Sequence, residues 1–175
     1  TDGINWTEGT ISDTNQAWYS ICYGNDKFVI VGSNCLAYSS DGINWTEGTI
    51  SSTSRQWDSV CYGNGVFITV AGNSNYYAIS TDGITWTENL ISDTSRNWRS
   101  VCYGNNKFVA VASNNNYCAY YSIEDAVWTE KKISNTSRDW QSICYGNEKF
   151  IAVASGNYGE NVYFAYSTDG ITWTE

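Results

Sequence analysis

The chain has 175 residues, with nine Lys and Arg against eighteen Asp and Glu, a formal charge of −9. That excess of acid repels phosphate backbones and anionic membrane surfaces, so nucleic acid is not expected as a partner. His, Pro and Met are absent and no apolar run approaches ~18 residues, which removes the commonest general base and metal ligand and any expectation of membrane insertion.

The 42% hydrophobic share is dominated by nine Trp and fourteen Tyr. The missing initial Met suggests a processed chain or a piece of a larger one. No metal set and no cofactor motif stands out, and none is expected.

The chain opens on "TDGINWTE", and copies of that phrase return as "SSDGINWTE" from Ser39, "STDGITWTE" from Ser80 and "STDGITWTE" from Ser167. Its Trp falls at Trp6, Trp45, Trp86, Trp128 and Trp173, with spacings of 39, 41, 42 and 45. A second Trp (Trp18, Trp57, Trp98, Trp140) always follows 12 residues later. Such a period marks a repeat architecture. The chain divides into a leading phrase at 1–12 and repeats at about 13–51, 52–92, 93–134 and 135–175, one domain or a fragment of one.

Each repeat carries four strand signals, most legible in the third. The first is "WRSVCYG" from Trp98, where strict alternation puts Trp98, Ser100 and Cys102 on one face and Val101 and Tyr103 on the other. The second, "FVAVA" from Phe108, is apolar on consecutive residues, as in a strand covered on both sides. The third is "YCAYYS" from Tyr117, and the fourth "VWTEKKIS" from Val127. "YGN" joins the first pair and "DG" the last, both residues that tolerate positive φ in hairpins. No 3.6-residue apolar period appears.

Insertion is confined to one loop. The interval from the second-strand Val (Val31, Val70, Val111, Val153) to the turn Ser (Ser39, Ser80, Ser122, Ser167) runs 8, 10, 11 and 14, while the rest of the repeat is constant. Thin sheets apolar on both faces must stack on one another. The expected fold is all-β, a β-propeller of four-stranded antiparallel blades that is part of a larger or oligomeric ring. The fourth-strand phrase occurs five times against four for each other strand, so one copy is surplus or serves a neighbour. A closed four-blade ring with one displaced strand is the alternative.

The phrase S-x-D-G-x-x-W resembles the Asp-box of BNR-repeat propellers of bacterial and phage surface proteins, one residue shorter between Asp and Trp. The resemblance implies a structural turn, with Asp41, Asp82 and Asp169 (and Asp2 in the truncated copy) accepting backbone N–H groups while Trp45, Trp86 and Trp173 pack into the blade. The third blade departs, reading "SIEDAVW", with Glu124 and Asp125 in place of Asp and Gly. Sialidases also carry this motif, but their Phe-Arg-Ile-Pro sequence needs a Pro this chain lacks. Paired carboxylates for glycoside hydrolysis stand about 5–9.5 Å apart, whereas Glu47, Glu88 and Glu130 repeat along fourth strands. Catalysis is not expected.

Six Cys lie at repeat-equivalent positions: Cys22, Cys61, Cys102 and Cys144, then Cys35 and Cys118. Stacked sheets place equivalents ~10 Å apart, beyond the ~7 Å Cα reach of a disulfide, so free, buried Cys acting as small apolar side chains are expected. The second-to-third loops and the blade crossings share one rim and hold what varies, including Asn75, Asn115 and Tyr158. Arg55, Arg96 and Arg138 precede Trp57, Trp98 and Trp140 by two residues. These Arg either meet a sugar while an aromatic stacks on its ring, or pair structurally with the Trp. The residue after each Trp is the least constant of the strand: Tyr19, Asp58, Arg99 and Gln141.

The leading expectation is a non-enzymatic multivalent glycan-binding module acting through that loop rim, extracellular, at a cell surface or virion-associated. A protein-interaction or structural propeller is the alternative, and a sialidase-like hydrolase comes third. The expected partners are a glycan or a protein, with a possible homo-oligomer completing the ring.

Overall fold

The computed structural model describes residues 6–11, 16–51, 54–156 and 162–175. Four antiparallel sheets follow one another along the chain. The first holds β1 (Trp18–Gly24), β2 (Lys27–Gly32), β3 (Leu36–Ser39) and β4 (Thr46–Gly48). The second holds β5 (Gln56–Gly63), β6 (Val66–Gly72), β7 (Tyr76–Ser80) and β8 (Thr87–Leu90). The third holds β9 (Asn97–Gly104), β10 (Lys107–Ser113), β11 (Tyr117–Ser122) and β12 (Val127–Lys132). The fourth holds β13 (Asp139–Gly146), β14 (Lys149–Ser155) and β15 (Tyr163–Ser167), and Thr174 bridges Tyr166 where a fourth strand would run.

Local chemistry explains the meander. The first two strands of every blade are joined by a two-residue turn in which both residues have positive φ: Asn25 and Asp26, Asn64 and Gly65, Asn105 and Asn106, Asn147 and Glu148. Both-positive φ is the mirror-image turn whose twist matches the flanking strands, and Asn tolerates it best after Gly. In the first three blades the second strand is buried on both faces, with Val29, Val31, Ile68, Val70, Val109 and Val111 all fully enclosed, whereas in the fourth it is open on one face at Val153. It is an inner strand of its sheet, paired on both edges.

Strict alternation fails in the first strand. Each first strand carries a β-bulge one residue after its Trp, between Trp18 and Ser20, Trp57 and Ser59, Trp98 and Ser100, and Trp140 and Ser142. One extra residue shifts the face of everything before it. Trp98 therefore packs with Val101 against Ile68 and Val70 of the preceding blade, while Cys102 joins Ile143 of the following one. The expected grouping of Trp98 with Cys102 is corrected on this ground.

Blades stack through repeated fittings. The amides of Val60, Val101 and Ile143 donate to the hydroxyls of Ser20, Ser59 and Ser100 in the preceding blade, at 3.1, 3.1 and 3.2 Å. The four blades form an arc that does not close, so the alternative of an intact four-blade ring is set aside. The surplus leading phrase adds no strand over residues 6–11, and Trp6 is 86% exposed. The rest of that phrase, Asp2 included, lies outside the described residues. All six Cys are free; Cys35, Cys102 and Cys118 are buried as expected, but Cys22 and Cys61 are half-buried and Cys144, on the fourth blade with no blade packed beyond it, is exposed, which corrects the expectation for these three.

Candidate functional site

The turn between third and fourth strands is built the same way in three blades. In the first, Ser39 donates its hydroxyl proton to Asp41 Oδ1 at 2.9 Å and accepts the Gly42 amide at 2.9 Å. Asp41 Oδ1 accepts the amides of Ile43 and Asn44 at 2.9 and 2.7 Å. Ser80 with Asp82 and Ser167 with Asp169 repeat the pattern at the same length within 0.1 Å. The glycine after each Asp has φ near the left-handed region (75°, 74° and 73°), which excludes a Cβ at little cost only for glycine.

These bonds act on the carboxylates. The Asn44 amide, the Asn44 side chain and the Ile43 amide hold Asp41 well below the usual carboxylate range. The Thr85 and Ile84 amides lower Asp82. At Asp169 burial pushes upward, but the Thr172 and Ile171 amides and the Ser167 hydroxyl outweigh it and leave the group at about 2. Trp86 is buried, and Trp45 and Trp173 are half-buried beside their turns. In the third blade Ala126 takes the positive φ (54°), and only the Asp125 amide reaches the turn Ser, at 3.4 Å from Ser122.

The loop rim looks different from what was expected of it. Arg55 lies 3.6 Å over the Tyr76 ring and pairs with Glu88 at 2.8 Å. Arg96 lies 4.3 Å over Tyr117, pairs with Glu130 through 2.5 and 3.0 Å bonds and donates to Asn115 Oδ1 at 3.1 Å. Arg138 lies 3.4 Å over Tyr163 and pairs with Glu175. The aromatic partner is thus a third-strand Tyr of the same blade, not the neighbouring Trp.

Trp57, Trp98 and Trp140 are 0–1% exposed, so none offers a ring face to a sugar. Asn75 donates to the Ser92 carbonyl, and Asn115 accepts the Tyr117 amide while its backbone pairs with Arg138. The proposed ligand-binding residues are therefore brought together, blade by blade, but spent on one another. Tyr158 lies outside the described residues.

A different set sits at the bulges. The bulge in each first strand singles out Tyr19, Asp58, Arg99 and Gln141 as the extra residue. Bulges re-aim a side chain, and the closest contacts between blades run through the first strands, β1 on β5, β5 on β9 and β9 on β13. These four residues consequently form a row along the inner edge of the arc, at the rim that carries the second-to-third loops. Asp58 Oδ2 accepts from Arg99 Nη1 at 2.9 Å across the blade boundary, and Asp58 Oδ1 accepts from Gln56 at 2.7 Å.

Asp58 is 6% exposed and Arg99 34%. Arg99 Nε is enclosed without a hydrogen-bond partner. Tyr19 and Gln141 are exposed. The signal for this row was present in the sequence as the position where near-identical repeats disagree, but nothing in the spacing showed where those side chains point.

No family model matches the chain, and no curated protein matches it. Among solved structures it is similar to a streptogramin B lyase, with a TM-score of 0.79 and 12% identity over 95% of this chain and 57% of that one. It is similar to selenomethionine-substituted virginiamycin B lyase from Staphylococcus aureus, with a TM-score of 0.77 and 14% identity over 94% of this chain and 56% of that one. A catalytically inactive His-to-Ala variant of virginiamycin B lyase from the same organism, with quinupristin, gives a TM-score of 0.72 and 14% identity over 94% and 67%. The chain spans little more than half the length of the first two. At this identity the likeness shows the fold, and the fold is an all-β propeller.

These findings correct the functional expectation. The reported neighbours are lyases, enzymes on a propeller, and nothing points to a glycan module or a surface scaffold. The side chains assigned to sugar binding are also occupied inside the fold. The architecture accordingly gives no ground for expecting a non-enzymatic protein. One neighbour is inactivated by replacing a single histidine, and this chain supplies none.

Proposed function

We propose that the protein recognises a small anionic ligand, a carboxylate first of all, at the inner mouth of the propeller through Arg99, with Gln141 and Tyr19 flanking it and Asp58 positioning the guanidinium. One observation carries this reading. Blades that are otherwise near-copies differ at the side chain that a bulge turns toward the inner edge. Within the stretch from that Trp to the turn Gly the blades otherwise differ only by Ile for Val, so the four different residues Tyr19, Asp58, Arg99 and Gln141 stand out against a constant strand.

The chemistry fits an anion. Arg99 keeps one pairing with Asp58 through Nη1, and its side chain, 34% exposed, has further guanidinium donors. A planar fork of donors matches a carboxylate in a bidentate manner. Its ion pair with a nearly enclosed Asp58 fixes the orientation before a ligand arrives, which limits the entropy lost on binding.

A panel of small mono- and dicarboxylates, followed by NMR shifts of the arginine and amide signals, tests the reading. Shifts centred on Arg99 and Gln141, lost in Gln141→Ala and Arg99→Gln with folding intact, support it. Shifts absent across the panel, or unchanged in both variants, defeat it. The hydrogen-bonded Ser–Asp–Gly turns, three times repeated, also support reading the repeats as a shortened Asp-box variant.

A further inference from the structure

The arc ends in two unlike faces, and each is one half of an interface that the molecule already contains three times. At the interior boundaries, Val60, Val101 and Ile143 are 5–6% exposed because the preceding blade covers them. Their counterpart in the first blade, Ile21, is 56% exposed, and Tyr23 beside it is also 56% exposed. At the other end Val153 is 43% exposed, whereas its counterparts Val31, Val70 and Val111 are fully buried.

The fitting between the halves is specific. Tyr62, Tyr103 and Tyr145 lie so close over Gly24, Gly63 and Gly104 that a Cβ on those glycines would stand 2.0–2.1 Å from the tyrosine ring. Gly146, the fourth member of the series, meets nothing within 4 Å. Tyr23, the first of the tyrosine series, has no glycine beneath it. The serine ladder is open at the same two places: Ser142 continues Ser20, Ser59 and Ser100, and Ile21 precedes Val60, Val101 and Ile143.

We propose that these faces are the two halves of one contact and that two copies of the chain join head to tail, each first blade seated on the other's fourth. In this proposal the contact is used twice, and the two four-blade arcs close into an eight-blade ring, the closed alternative to the fibre that a head-to-tail contact otherwise builds. The occupant is argued from continuity with the interior boundaries, since the surface that fits Gly146 is the one this chain presents at Tyr23. The proposal does not depend on the ligand at the inner mouth.

Light scattering across low to high micromolar concentrations reads it directly. The chain should show twice its 19.5 kDa mass. Gly146→Ala is harmless to the single chain, where the added Cβ meets open space, but it would strike Tyr23 of the second copy. It should return the protein to 19.5 kDa with circular dichroism unchanged. Ile21→Arg should do the same from the opposite face. Mixing the two variants should regenerate a two-chain species that neither forms alone, because each retains one sound face. A wild-type chain that stays single at high concentration, open chains of three or more copies, a dimer indifferent to Gly146→Ala, or a mixture that stays single would each overturn the proposal.

Discussion

The ring of Tyr103 lies over Gly63 of the preceding blade so closely that a Cβ on that glycine would stand 2.1 Å from Tyr103 Cγ. The blade boundary is therefore set by backbone meeting an aromatic face, with no side chain between. Gly63→Ala should force the ring or the whole blade outward, costing about 1–3 kcal/mol as an overpacked core does. Urea denaturation of Gly63→Ala beside Gly146→Ala checks it: the first should lose stability and the second, measured as a single chain, should not.

The aspartate turns predict acid sensitivity. Asp82 and Asp169 have folded pKa values below their unfolded ones, Asp169 at about 2. Depressed carboxylates contribute stability that is fully present above the unfolded value, about 4, and is lost as pH falls through the folded value. Thermal midpoints should hold flat down to about pH 4 and then decline toward pH 2. Asp169→Asn should flatten that decline while lowering the midpoint at neutral pH.

Arg96 is held by Glu130, Asn115 and the face of Tyr117. The Glu130 carboxylate raises the Arg96 pKa, and Arg96 in turn lowers that of Glu130. The pair is partly open to water, which screens it, so Arg96→Ala should cost about 1–2 kcal/mol in chemical denaturation. Added salt should narrow the gap between wild type and Arg96→Ala. A gap that widens with salt would show that packing, not charge, carries the contact.

The thiols should react unequally. Burial pushes Cys22 up to about 12, Cys61 to about 11 and Cys118 to about 12, and raises Cys102 as well. Only thiolates attack alkylating reagents readily. At pH 8 and low protein concentration, mass spectrometry after brief iodoacetamide treatment should find label first on the exposed Cys144. Label appearing first on Cys118 would contradict the packing described for the third blade.

Much of the fold is legible in the sequence alone. Paired turn residues such as Asn64–Gly65, unbroken apolar second strands and the fixed Ser-to-Trp spacing each report local backbone preference, and local preference is written in local sequence. Free cysteines followed from sheet spacing alone. The site was not legible. Arg96 and Asn115 carry the residue types of a binding rim, yet their partners Glu130 and Tyr117 sit 34 and 21 positions from Arg96, and nothing in the repeat announced that they meet.

The sequence by itself determined that this is a stack of like β units with aspartate-closed turns, because periodicity and turn chemistry act over a few residues at a time. Only the tertiary structure decided which side chains remain available. A single bulge residue after each Trp rotates the strand, buries Trp98 against the preceding blade and turns Arg99 toward the inner edge. The ladder that defines the bulge forms only when the second strand pairs with the first. That long-range register, together with the arc's failure to close, placed the open surfaces at the inner mouth and at the two end blades.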